Sequence, residues 1–242
     1  MRVIIIMLTK KLYIGLLCTL SATFVHAQET NTSSVKLKEF RFSYDKMYDI
    51  ANPKKLSHRI FYTKPSVGPN AAWFDAVKKG DLKTVKRMVE EGQNIDVKDE
   101  AALGQTALGW AAFIGYQDMV EYLVGKGADL YATDRADVYN VFKSAVLGKN
   151  IKTVKYLYPL LKDNISVDEQ EEDGETLVMV AASNDRIDIV KFLLKLGADV
   201  NVVSEQKDAS ALSYACDRGH KDMVKLLIKA GAINHKTKKS SC

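Results

Sequence analysis

Proline, cysteine and histidine are scarce in this 242-residue chain, with four, three and four copies. Four prolines exclude a proline-rich linker or recognition protein. Three cysteines, Cys18, Cys216 and Cys242, are too few and too scattered for a disulfide-scaffolded domain. No two histidines stand at zinc-ligand spacing and no cysteine pair supports them, so no metal site is expected. There is no Gly-x-Ser-x-Gly elbow and no glycine-rich phosphate loop, since Gly125-Lys126-Gly127 reads as a helix stop. Neither a catalytic set nor a cofactor is therefore expected. Apolar runs of about 18 residues without a charge are also missing, which excludes a polytopic membrane protein. Charge of one sign is lacking as well: setting aside Arg2, Lys10 and Lys11 leaves 32 basic against 30 acidic residues, a net +2. That balance offers no concentrated basic face for nucleic acid. What the chain has in quantity is apolar side chains, 47% of residues, enough for a sizeable core.

The first 27 residues read as an export signal. Lys10 and Lys11 give a positive n-region, residues 12–24 form an apolar stretch of 13, and Val25-His26-Ala27 places small side chains before a cleavage point at Gln28. Met7 would open a more conventional signal than Met1. Thirteen helical residues reach only about 20 Å, short of the roughly 30 Å hydrocarbon core, so cleavage is expected in place of a membrane span, with a periplasmic or secreted product. Leu17 precedes Cys18 where a lipoprotein signal needs a small residue. In the mature chain Cys216 is expected as a small buried hydrophobe, and Cys242 as an exposed thiol able to link two chains by a disulfide.

Sliding the sequence against itself exposes a period of about 33 residues. Gly104, Thr106, Leu108, Ala111 and Ala112 align with Gly174, Thr176, Val178, Ala181 and Ala182, and then with Asp208, Ser210, Leu212, Ala215 and Cys216. Downstream, Val120, Leu123 and Gly127 align with Val190, Leu193 and Gly197, and with Val224, Leu227 and Gly231. Divergent units fit at Ser144, Ala145, Gly148, Val154 and Leu157, and at Trp73, Ala76, Gly80, Val85 and Gly92. The spacing predicts a helix opened by a capping hydroxyl at Thr106, Thr176 or Ser210. A glycine turn at Gly80, Gly115, Gly148 or Gly219 then leads into a second helix, stopped by a second glycine at Gly92, Gly127, Gly197 or Gly231. In the third unit Tyr158-Pro159 is expected to end the second helix, since proline cannot continue one, and that unit to be locally weaker.

These units resemble ankyrin repeats: Gly197, Ala198, Asp199, Val200 and Asn201 match the family's Gly-Ala-Asp-Val-Asn close, though none carries the Pro and His of its opening. The resemblance implies an all-α solenoid of about five helix-turn-helix units joined by hairpin-like loops. The divisions are a signal at 1–27, an N-terminal cap at 28–69, repeats at 70–103, 104–136, 137–172, 173–207 and 208–234, and a basic tail at 235–242, expected to be frayed. It further implies a non-enzymatic, protein-binding scaffold. In such repeats the two residues after the alanine pair lie on the concave face, here Lys78, Lys79, Phe113, Ile114, Val146, Leu147, Ser183, Asn184, Asp217 and Arg218. The apolar centre of this strip admits two readings: an exposed interaction patch anchored by Phe113 and Ile114, or burial, with Val146 and Leu147 as core residues of the divergent third repeat or the N-terminal segment folded over Phe113. The acidic run from Asp168 to Asp173 lacks calcium-loop spacing and reads as a loop tip. His220 fits the turn inside its repeat. An exported enzyme with its site in residues 28–69 is the alternative function. Within the binding class, an exported scaffold would protect or assist an envelope enzyme or neutralise a toxin.

Overall fold

Capping oxygens open the helices where the repeat places them. In the computed structural model, which describes residues 37–136 and 138–242, Thr106 accepts from the Gly109 N–H, Thr176 from Met179 and Ser210 from Ser213. Each satisfies a donor that the first helical turn leaves orphaned. In the divergent third unit Asn140 does the same for Lys143 at 3.0 Å. The export signal and the polar residues 28–34 lie outside the described residues.

Five helix pairs follow one another. They are α2 (Ala71–Lys79) with α3 (Leu82–Glu90), α4 (Ala107–Ile114) with α5 (Gln117–Gly125), α6 (Val141–Leu147) with α7 (Ile151–Leu161), α8 (Leu177–Ser183) with α9 (Ile187–Lys195), and α10 (Ala211–Asp217) with α11 (Lys221–Lys229). The first helix of each pair stacks on the first helix of the next. Ala111, Ala112, Ala181, Ala182 and Ala215 are buried along that stack, where small side chains let neighbouring helices approach. Short strands β1 (Val203–Ser204) and β2 (Ala209–Ser210) pair antiparallel in the finger before the last repeat. Gly92, Gly127, Gly197 and Gly231 all stand at positive φ after the outer helices, as a left-handed helix stop requires.

Gly148 stands between the two helices of the third repeat, as expected, at φ −68°, and a Cβ there would collide with the Phe113 carbonyl of the preceding repeat. One expectation about this repeat needs correction: helix α7 does not stop at Pro159 but runs on to Leu161. Leu157 and Leu161, four residues apart, are both fully buried, and this apolar face offsets the hydrogen bond that proline cannot donate. The ladder resumes with Lys162 N–H bonding Tyr158 O at 2.9 Å.

The position that ankyrin repeats fill with histidine is Gly109 in the second unit. Its lack of a side chain makes room for Gln105, whose amide Oε1 accepts from Thr106 N–H and whose Nε2 donates to Asp134 and to Ser144 of the next repeat. Gly109→Ala would put a Cβ on that amide and expel it. Buried polar groups would lose their partners, so the variant is expected to lose about 1–3 kcal/mol in urea unfolding despite alanine's better helix propensity. A gain in stability would contradict this role for Gln105.

The cysteines correct another expectation. Cys216 and Cys242 form a disulfide within the chain, so Cys216 is not an isolated hydrophobe and Cys242 is not a thiol free to link two chains. The basic tail is accordingly not frayed. Asn234 Oδ1 accepts from Lys236 and Thr237, and the His235 ring bonds Ser210 and Asp208.

Candidate functional site: a strapped inner-helix face

The N-terminal segment does more than cap the first repeat; it crosses the face lined by α2, α4, α6 and α8 and comes back. On the outward run, Arg41 N–H bonds Lys79 O and its guanidinium pairs with Asp118 at 2.7 Å, while Phe42 packs on Tyr116. Helix α1 (Tyr44–Ala51) follows, burying Met47, Ile50 and Ala51 beneath it. Asp49 pairs with Lys149 of the third repeat at 2.6 Å, and Asn52 bonds Asn184 of the fourth at 3.1 Å. The return run passes through a single 3-10 turn, Ser57–Arg59, and brings Phe61 edge-on to Phe113. Ser66 closes it at the first repeat, bonded to Lys78 and Asp75.

Two buried arginines fasten this strap from opposite sides. Arg59, on the strap, pairs with Asp134 at 2.9 Å with side chains 1% and 0% exposed, and also donates to Ala136 O. Arg186, on the array, donates to Ile50 O of the strap and to Leu147 O of the neighbouring repeat. Burial pulls its pKa down to about 10, so it stays charged at neutral pH. Carbonyl dipoles of two segments converge on this cation and hold the strap to the array.

The strap decides where each strip residue lies. Phe113, Ile114, Val146 and Leu147 are buried, so they present no exposed patch, and the N-terminal segment does fold over Phe113 through Phe61. Lys78 is buried too, bonded to Asp99 at 2.6 Å and set 4.9 Å from the Trp110 ring. Lys79 pairs with Glu39 of the strap at 2.5 Å. Ser183 and Asn184 are buried at the far edge of the strap, Asp217 is exposed, and Arg218 is half-exposed. His220 opens α11 with its ring 3.2 Å from Ser183 O, a structural place at the turn. In the acidic loop, Glu171 pairs with Lys143 and Asp168 accepts from Asp199 N–H, leaving Glu169 and Glu172 as its exposed tip.

Beside the strap's turn a cleft of about 310 Å³ stays open, walled by the third, fourth and fifth repeats. Lys55, His58 and Arg59 wall it on the strap side; Lys143, Glu175, Ser183, Lys207, Tyr214 and Arg218 wall it on the array side. Arg218 donates to Ser183 O at 2.6 Å and lies 4.9 Å from the Tyr214 ring. Burial raises the Glu175 carboxyl above its ordinary value, opposed by a hydrogen bond from Tyr214. A carboxyl so raised adds stability below its free value and loses it as pH rises through its folded value. Glu175→Gln mimics the neutral acid, so its thermal midpoint should exceed that of the parent at pH 7 and match it near pH 4. A lower midpoint at pH 7 would show that the carboxylate charge is needed.

Sequence reasoning missed Arg59, Asp134, Arg186 and the cleft. The one available signal for Arg59 was its setting: a single cation among Leu56, Ile60, Phe61 and Tyr62, an apolar context too dense for a solvated loop.

The family described as Ankyrin repeats (3 copies) matches this chain over residues 62–134 and 141–239. This chain belongs to the ankyrin repeat family. It is 29% identical over 171 residues to the ankyrin repeat and KH domain-containing protein mask-1 of Caenorhabditis elegans, covering 61% of this chain and 6% of that protein. It is 30% identical over 188 residues to a putative palmitoyltransferase ZDHHC13 of Danio rerio, covering 76% of this chain and 26% of the other. A putative ankyrin repeat protein of Rickettsia felis is 29% identical over 128 residues, covering 53% of this chain and 41% of that protein. The chain thus spans less than half the length of each of these relatives. Ankyrin repeats indicate a protein-binding scaffold. Among the described residues, no helix is long and apolar enough to cross a membrane.

Proposed function

We propose that this protein is a non-enzymatic binding scaffold acting outside the cytoplasm, which takes a protein partner on the concave face of its last two repeats. The observation that carries the reading is the division of the inner-helix face: the strap fills it over repeats one to four, and beside its turn a cleft stays open that reaches from the third repeat to the fifth. The palmitoyl transfer named for the Danio relative belongs to a protein of which this chain spans about a quarter, and it is not carried over.

Export is supported by Lys10-Lys11, the apolar residues 12–24 and the small residues at Val25 and Ala27. The Cys216–Cys242 pairing suits an oxidising compartment. Mass spectrometry of the native protein should find a chain beginning at Gln28; an intact terminus at Met1 or Met7 would contradict export with cleavage. Function is tested by immobilising the disulfide-bonded chain and passing an envelope extract over it. A single stoichiometric protein, retained without turnover of any small molecule, supports the scaffold. Its identity then separates a protected envelope enzyme from a neutralised toxin.

A further inference from the structure

We propose that the open cleft binds an acidic segment of the partner, with a carboxylate seated between Lys55 of the strap and Arg218 of the last repeat. This deepens the scaffold reading and rests on it. The two cations line the cleft from separate elements, one on the strap's turn and the other at the C-terminal cap of α10. Among the described residues no ion pair joins a carboxylate to Lys55 or to Arg218. Of the cleft's two acids, Asp173 lies 3.7 Å from Lys207 and Glu175 accepts from Tyr214; Glu175 and Asp217 attract Arg218 through space without pairing with it. Burial, and then the Arg218 charge, hold the Lys55 ammonium below its ordinary pKa. Two cations lining one cleft are relieved by an anion between them, and the Arg218 fork and Lys55 point charge are both good carboxylate donors. An extended acidic peptide fits better than a lone ion, since the cleft continues past the pair toward Lys207 and Tyr214.

The test uses the whole disulfide-bonded chain, isotope-labelled, and three capped hexapeptides of glycine alternating with glutamate, glutamine or lysine. The glutamate peptide is expected to shift the amides of Lys55, Tyr214 and Arg218, with affinity falling at least fivefold between 50 and 300 mM salt; the other two peptides should leave them unmoved. Lys55 is exposed, so Lys55→Glu should keep or raise the parent's thermal midpoint while weakening the glutamate peptide at least tenfold. Arg218→Gln, which also loses the Ser183 contact, serves as a second variant and should weaken it similarly. Equal shifts from the glutamine peptide, binding at the basic tail in place of the cleft, tighter binding of inorganic phosphate at the same amides, or undiminished affinity in Lys55→Glu would each overturn the assignment. Partner capture separates the two claims. If Lys55→Glu retains the parent's partner in full, the cleft assignment falls and the scaffold stands. If the peptide binds as expected and no protein is captured, the scaffold reading falls and the anion site stands.

Discussion

Arg59→Ala is expected to cost about 3–5 kcal/mol in urea unfolding, because it leaves the Asp134 carboxylate buried without its cation. The pair joins two segments 75 residues apart in sequence, one on the strap and the other in the finger between the second and third repeats. Asp134 is also the acceptor for Gln105 Nε2 and for the N–H groups of Ala136 and Val138, so the finger's shape depends on its remaining in place. Asp134→Ala should therefore be as damaging as Arg59→Ala. The double variant should cost clearly less than the two summed, since no lone charge is then left buried. Hydrogen exchange should report faster opening of the strap across residues 44–62 in Arg59→Ala. A loss below about 1 kcal/mol, the size seen for exposed pairs, would mean that the strap is not fastened here.

The second large effect belongs to the disulfide. Cys216 and Cys242 are 26 residues apart, and in the chain-entropy account closing a loop of that size stabilises by about 3–4 kcal/mol. The loop contains all of α11, the last outer helix. Because each repeat touches only its neighbours, the loss on reduction should concentrate in the fifth repeat. Cys242→Ser should lower the first unfolding midpoint and raise exchange across α11, with little change in α4 and α5. Under non-reducing conditions the chain beginning at Gln28, which lacks Cys18, should migrate as a monomer and lack thiols reactive toward an alkylating agent. A disulfide-linked dimer, with Cys216 still open to alkylation, would contradict the intrachain bond.

Local features of the array could be read from sequence. Thr106, Thr176 and Ser210 cap helices within three residues of themselves, and the stop glycines need only their own φ. A period of about 33 residues repeats that local logic, so even the divergent third unit fell into register. Failures came where distant segments compete. Phe113 and Ile114 follow an alanine pair as surface positions of a repeat would, yet Phe61, 52 residues upstream, covers Phe113. Nothing within the repeat specifies that cover, because the apolar face it shields is satisfied equally by a partner or by the chain itself. Pro159 was misjudged for a related reason: proline's local cost is fixed, but the burial of Leu161 that outweighs it depends on the neighbouring repeats. The disulfide is likewise a matter of tail placement, settled by His235 and Asn234 contacts that spacing does not encode.

The most direct test of the central claim is hydrogen exchange on the disulfide-bonded chain, alone and saturated with the protein it captures. If the strap is a permanent part of the face and the partner uses what it leaves open, protection should rise at residues 53–59 and 211–218, while residues 44–51 keep their exchange rates. Faster exchange across 44–51, together with new protection at 111–115 and 145–148, would show the partner displacing the strap to reach Phe113 and Leu147. That result would contradict the account.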